Sequence, residues 1–186
     1  MKKIFVSAVL AAGTVALQAQ QYQRDEPMER TTAIQLSLTP DIALYPRDAT
    51  VRGVSLNIWG ENQQSGFTLG IVNGSTGDSK GFSWGIVNYD ESYHGVQWGI
   101  VNLSRQEFVG WQRGIVNCDR GTFTGFQDGI VNVSEEARGF QLGLVNYAQE
   151  LNGLQIGLIN VAMNNPCFSD FPDKLAKGFP IVNWSF

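Results

Sequence analysis

Between Gly66 and Asn160, apolar and polar positions alternate inside an eight-residue unit, Gly-apolar-x-x-Gly-Ile/Leu-Val/Ile-Asn, that recurs seven times. The copies are Gly66–Asn73, Gly81–Asn88, Gly95–Asn102, Gly110–Asn117, Gly125–Asn132, Gly139–Asn146 and Gly153–Asn160. Their leading glycines lie 15, 14, 15, 15, 14 and 14 residues apart. A degenerate copy, Gly53–Gly60, begins 13 residues upstream, and a truncated one, Gly178–Asn183, closes the chain. Strict alternation is the period of a β-strand, and no helical period appears beyond the N-terminal segment. Self-similarity at a short fixed spacing predicts a repeat architecture.

With the leading glycine as position 1, position 2 is bulky and apolar (Phe67, Phe82, Val96, Trp111, Phe126, Phe140, Leu154). Position 6 is always Ile or Leu, and position 4 is Leu69, Trp84, Trp98, Arg113, Asp128, Leu142 and Ile156. These three positions share one strand face. The opposite face carries Thr68, Ser83 and then Gln97, Gln112, Gln127, Gln141 and Gln155 at position 3. After each Asn, position 9 is mostly apolar, and so is the residue two before the next glycine (Tyr93, Phe108, Phe123, Ala137, Leu151). The expectation is a firm strand, a corner at Asn, a softer strand and a corner at Gly. Positions 2, 4 and 6 would point inward from one wall. Position 9 and the pre-glycine residue would point inward from the other, leaving the Gln row on the outer surface.

Two all-β folds suit this pattern. In a repeat β-solenoid of about 14–15 residues per coil, equivalent slots stack by parallel pairing about 4.8 Å apart. Recurrent Asn residues can then hydrogen-bond in a column, as stacked amides do in cross-β structures. The alternative is an antiparallel up-and-down outer-membrane β-barrel with positions 2, 4 and 6 toward lipid. Alternate barrel strands run in opposite directions, so nothing would require one residue in one slot throughout. Arg113 and Asp128 would also face lipid, at about 2–4 kcal/mol for a mid-membrane charge. In a solenoid they are stacked neighbours that pair. The solenoid is therefore the preferred expectation.

The chain of 186 residues, 43% hydrophobic and 16% charged with 21 Gly, suits one globular domain. Residues 1–19, with Lys2 and Lys3 before an apolar run from Ile4 to Leu17 and a small residue at Ala19, read as a secretory signal peptide. Residues 20–31 read as a flexible leader and 32–186 as a single β-repeat domain: a cap at 32–60, the array at 66–161, a loop at 163–177 and a closing strand at 178–186. Removing Lys2 and Lys3 with the signal segment leaves 11 basic residues against 17 acidic, a balance of −6 that argues against a nucleic-acid partner. Cys118 and Cys167 could pair after export, but a small buried apolar role for Cys118 is the simpler reading.

Chemistry-bearing constellations are scarce. His94 is the only histidine, and no Cys-x-x-Cys or His-x-x-x-His spacing implies a metal. No nucleophile elbow or phosphate loop occurs, so neither an enzyme nor a cofactor is expected. Asp90, Glu91, Asp119, Glu135 and Glu136 read as charged turns rather than as a calcium site. The one candidate binding patch comprises Trp84, Trp98 and Trp111 in consecutive repeats, together with Arg113 and Asp128. Such a row would suit an envelope protein or a glycan. Core filling is the preferred reading of the tryptophans, given the inward direction expected of positions 2 and 4.

The copies GFQLGLVN at Gly139–Asn146 and GLQIGLIN at Gly153–Asn160, with the closing segment Phe179–Trp184, resemble an uncharacterised family of bacterial surface-repeat proteins from Gram-negative species. The resemblance covers about residues 50–186. It implies export and surface or outer-membrane association, and brings no activity or site. Arg113 and Asp128 depart from its apolar slot. The combined expectation is an exported, non-enzymatic structural or interaction protein of the cell envelope, or, on the barrel alternative, an outer-membrane channel or anchor.

Overall fold

A computed structural model describes residues 30–165 and 177–186. The signal segment, nearly all of the leader, and most of the 163–177 loop, including Cys167, lie outside the described residues. Six extended elements follow one another: β1 (Thr31–Thr39), β2 (Ile42–Ala43), β3 (Thr50–Trp98), β4 (Val101–Leu142), β5 (Val145–Asn164) and β6 (Gly178–Ser185). No helix occurs among the described residues. The great length of β3 and β4 reflects a chain that stays extended while it turns corners and stacks on itself.

Successive repeats run in the same direction. β3 pairs parallel with β4, setting Asn88 beside Asn102, Gly95 beside Gly110 and Gln97 beside Gln112. β4 pairs parallel with β5 in the same way, with Asn132 beside Asn146 and Gly139 beside Gly153. Every slot therefore lies over its equivalent, and the fold is a β-solenoid. The antiparallel barrel alternative is overturned by this shared direction. β1 adds one more parallel rung, Leu36 beside Leu56, with β2 antiparallel on its far side. The closing strand departs as well: β6 runs antiparallel to β5, with Leu154 beside Trp184. Its Ile181 holds φ 73°, a left-handed conformation unusual for a β-branched residue, next to the break in pairing between Gly157 and Asn160.

The leading glycines make this stack feasible. Gly81, Gly95, Gly110, Gly125, Gly139 and Gly153 hold φ between 124° and 151°, a region that L side chains rarely occupy. A Cβ on Gly110 would sit 1.9 Å from the Gly95 carbonyl oxygen, and the neighbouring coils repeat this crowding.

The interior reverses the expected polarity. Asn73, Asn88, Asn102, Asn117, Asn132, Asn146 and Asn160 are almost fully buried, as are all five glutamines of position 3. Positions 2, 4 and 6 point outward instead: Trp84 is 55% exposed, Ile86 48% and Leu144 55%. Position 9 also lies on the outside, exposed at Leu103 and half-buried at Tyr89, Cys118 and Val133. The pre-glycine residues do point inward, and Tyr93, Phe108 and Phe123 stack with ring centroids 6.0 Å apart at each step.

Hydrogen bonding explains the reversal. Each Asn amide spans one coil step: Asn88 Nδ2 donates to Asn102 Oδ1 at 2.8 Å, and Asn102 Nδ2 to Asn117 Oδ1 at 2.7 Å. The same nitrogens donate to the position 4 carbonyls of Trp98 and Arg113, each at 3.0 Å. The position 5 glycine leaves room for this, since a Cβ at Gly99 would lie 2.7 Å from Asn88 Nδ2. A second column links the glutamines: Gln127 donates to Gln112 at 3.0 Å, Gln141 to Gln127 at 2.7 Å and Gln155 to Gln141 at 2.8 Å. Asn183 of β6 donates to Gln155 Oε1 at 3.0 Å and terminates the column. Buried amides are tolerated when their donors and acceptors are matched, and an unbroken column matches each one with the next coil.

Candidate interaction surface

Outward positions 2, 4 and 6 of all coils merge into one apolar wall. It begins on β1 with Ile34, Leu36 and Leu38 and runs through Leu56, Phe67, Ile86 and Ile130 to Leu158. About twenty large apolar side chains, each 38–67% exposed, populate it, an area of roughly 1,000 Å² or more where a monomer's largest patch is usually a few hundred. The charges collect elsewhere. Glu91, Arg105, Glu107, Arg120, Glu135, Arg138 and Glu150 follow the Asn corner, on the other side of each coil.

The five residues singled out from sequence come together on this wall. Trp84, Trp98 and Arg113 line a shallow groove floored by Gly70, Gly85 and Gly99. Trp111 meets Trp98 edge-on, with ring centroids 5.3 Å apart, and Trp98 meets Phe82 likewise at 5.4 Å. Such pairs add about 0.5–1.5 kcal/mol beyond area burial. The core-filling reading of these tryptophans is therefore corrected: they cover the outer wall, and Trp84 is the most open of them. Arg113 Nε lies 3.5 Å from Asp128 Oδ2, with the two side chains 59% and 30% exposed. They pair between neighbouring coils as expected, at the surface rather than in the core. A second apolar groove, lined by Leu36, Leu38, Ile42, Leu44, Leu56 and Ile58, continues the wall toward β2.

Sequence reasoning misplaced two acids. Asp90 and Asp119, expected in charged turns, are both buried in the interior. Asp90 accepts from Gln97 Nε2 at 2.7 Å and from Ser104 Oγ at 2.6 Å. Asp119 accepts from Gln112 at 3.0 Å and also from Gln127. Burial pushes the Asp90 carboxyl up to about 6 against the lowering effect of its two donors, and pushes Asp119 well above the usual carboxylate range. The signal was available in their slot: both stand two residues after a buried Asn, where Ser104, Ser134 and Ala148 also point inward. Among the described residues, no group of three or more His, Cys, Asp or Glu side chains is placed to hold a metal ion. His94 is exposed, 3.7 Å from Glu107.

Comparison with protein-family models, curated proteins and solved structures finds no match.

Proposed function

We propose that this chain is an exported, non-enzymatic structural or interaction protein of the bacterial cell envelope, acting through its apolar outer wall. The supporting observation is the inverted polarity of the solenoid. Its interior is held by amide columns, and the apolar residues that would ordinarily form a core are turned outward, where only contact with something else removes them from water. The N-terminal segment Lys2–Ala19 supports export, and the repeat resemblance supports placement at the surface or outer membrane of a Gram-negative cell. An envelope protein or a glycan is the class of partner that the row Trp84, Trp98, Trp111 would suit, with Arg113 and Asp128 as its polar contacts.

Fractionation of producing cells tests this reading. The expected result is a chain shortened at or near Ala19 and retained in the envelope, with retention lost when Trp84 and Ile86 are both replaced by serine. A full-length chain confined to the cytoplasm, or a processed chain whose retention ignores those substitutions, would contradict it.

A further inference from the structure

We propose that the occupant of the apolar wall is a second copy of this chain, packed face to face about a two-fold axis parallel to the strands and passing between the coils of Arg113 and Asp128. The proposal rests on the reading of the wall as an interaction surface and names its partner. Three features of the wall point to it.

The first is extent. The six coils that this axis superposes, from Gly81 to Leu158, present sixteen apolar side chains at positions 2, 4 and 6 together with Arg113 and Asp128, close to the roughly 20 residues and 800 Å² per partner at the lower end of a standard stable interface. A solenoid wall is one continuous sheet, and two sheets pack face to face about 10 Å apart.

The second is charge. Arg113 and Asp128 are the charged residues of position 4, and they occupy adjacent coils at the centre of those six. A two-fold parallel to the strands and between these coils maps each coil's row onto the other while keeping position along the strand. Arg113 then faces Asp128 of the second copy, and Asp128 faces its Arg113, giving a square of alternating charge. A two-fold along the solenoid axis would instead set Arg113 on Arg113 and Asp128 on Asp128. The charge pattern thus selects one self-complementary arrangement.

The third is shape. Under the same axis the coil of Trp98 meets that of Leu142, and the coil of Trp84 meets that of Ile156. Position 4 carries its large aromatic side chains on one side of the charged pair and aliphatic ones on the other. At position 4 large therefore meets small, while at position 2 Trp111 meets Phe126; the alternative axis would stack Trp84 on Trp84. Charge and the side-chain volumes of position 4 select the same geometry.

Sedimentation equilibrium of the full chain, with Arg113→Asp, Asp128→Arg and the double exchange, tests the proposal. The wild type is expected to be a dimer. Either single variant should dissociate with a Kd raised about tenfold or more, because like charges then face each other. An equimolar mixture of the two single variants should dimerise again, since an all-acidic pair then meets an all-basic one. The double exchange should also dimerise. Both positions are solvent-facing, so all variants should keep the wild-type circular dichroism. A monomeric wild type, single variants that dimerise as the wild type does, or a mixture that fails to recover would each overturn the proposal. So would a monomer that co-sediments with phosphatidylethanolamine–phosphatidylglycerol vesicles, which would assign the wall to lipid. A monomer whose envelope retention still depends on Trp84 and Ile86 would overturn the dimer alone. A dimer that stays unprocessed in the cytoplasm would overturn the envelope placement alone.

Discussion

Asn102 and Asn117 lie one coil apart, and the amide of the first donates to the carbonyl oxygen of the second at 2.7 Å while also meeting the Arg113 main-chain carbonyl at 3.0 Å. Three partners thus depend on one side chain, because Asn102 Oδ1 accepts from Asn88 as well. Asn102→Ala should leave buried donors and acceptors unmatched on both sides of the gap and cost about 3 kcal/mol, measured by denaturant unfolding. Asn102→Asp should cost at least as much, because it removes the donor and adds a buried charge.

The glycines divide into indispensable and replaceable positions. Gly110→Ala meets both a forbidden φ of 139° and a backbone oxygen at 1.9 Å, and should cost more than about 3 kcal/mol or prevent folding. Gly77 also has positive φ, at 54°, but a Cβ there would approach nothing closer than 3.8 Å. Gly77→Ala should cost only about 1 kcal/mol. Thermal unfolding of the two variants side by side checks the contrast.

Much of this fold was legible in sequence. A single residue type held in one slot through seven copies, as at Asn73 to Asn160, is explained by parallel stacking and by little else, and that gave the solenoid. The direction of the side chains was not legible from hydrophobicity. Hydrophobicity alone places the apolar residues of positions 2, 4 and 6 inside, but among apolar residues mainly those before the glycines, such as Tyr93, Phe108 and Phe123, go there, and amides that bond from coil to coil fill the rest. The better guide was uniformity. Gln and Asn recur unchanged because each must match its neighbour, whereas position 4 drifts from Leu69 through Trp84 to Arg113 and Asp128 because the outer wall tolerates drift. The candidate patch of Trp84, Trp98, Trp111, Arg113 and Asp128 was found by its composition, and its exposure came only with the structure.

Stability should fall as pH rises through the range of the buried acids. Asp90 has its pKa raised from 3.8 to about 6 by burial, so the folded state holds its proton more tightly than the unfolded chain. Its stabilising effect is complete below pH about 4 and is lost as pH rises to about 6, a change on the order of 3 kcal/mol. Asp119 acts in the same direction. Asp90→Asn should flatten the pH dependence of unfolding between pH 4 and 6 and, above that range, leave a protein at least as stable as the wild type.

Inner and outer apolar residues should respond very differently to substitution. Phe108 is fully buried between Tyr93 and Phe123, and Phe108→Ala should cost about 3–5 kcal/mol. Ile130 is 47% exposed on the wall, and Ile130→Thr should change the stability of the isolated chain by no more than about 0.5 kcal/mol. Equilibrium unfolding at low protein concentration separates this from any effect on association.

The arrangement of amides inside and apolar side chains outside is tested most directly by side-chain amide hydrogen exchange, followed by NMR. The Nδ2 protons of Asn102 and Asn117 and the Nε2 protons of Gln112 and Gln127 should exchange orders of magnitude more slowly than free amides, approaching the slowest backbone amides of the coils. Exchange of those four side chains at the rate of solvent-exposed amides would contradict it, and would return the glutamine row to the outer surface and the isoleucines to the core.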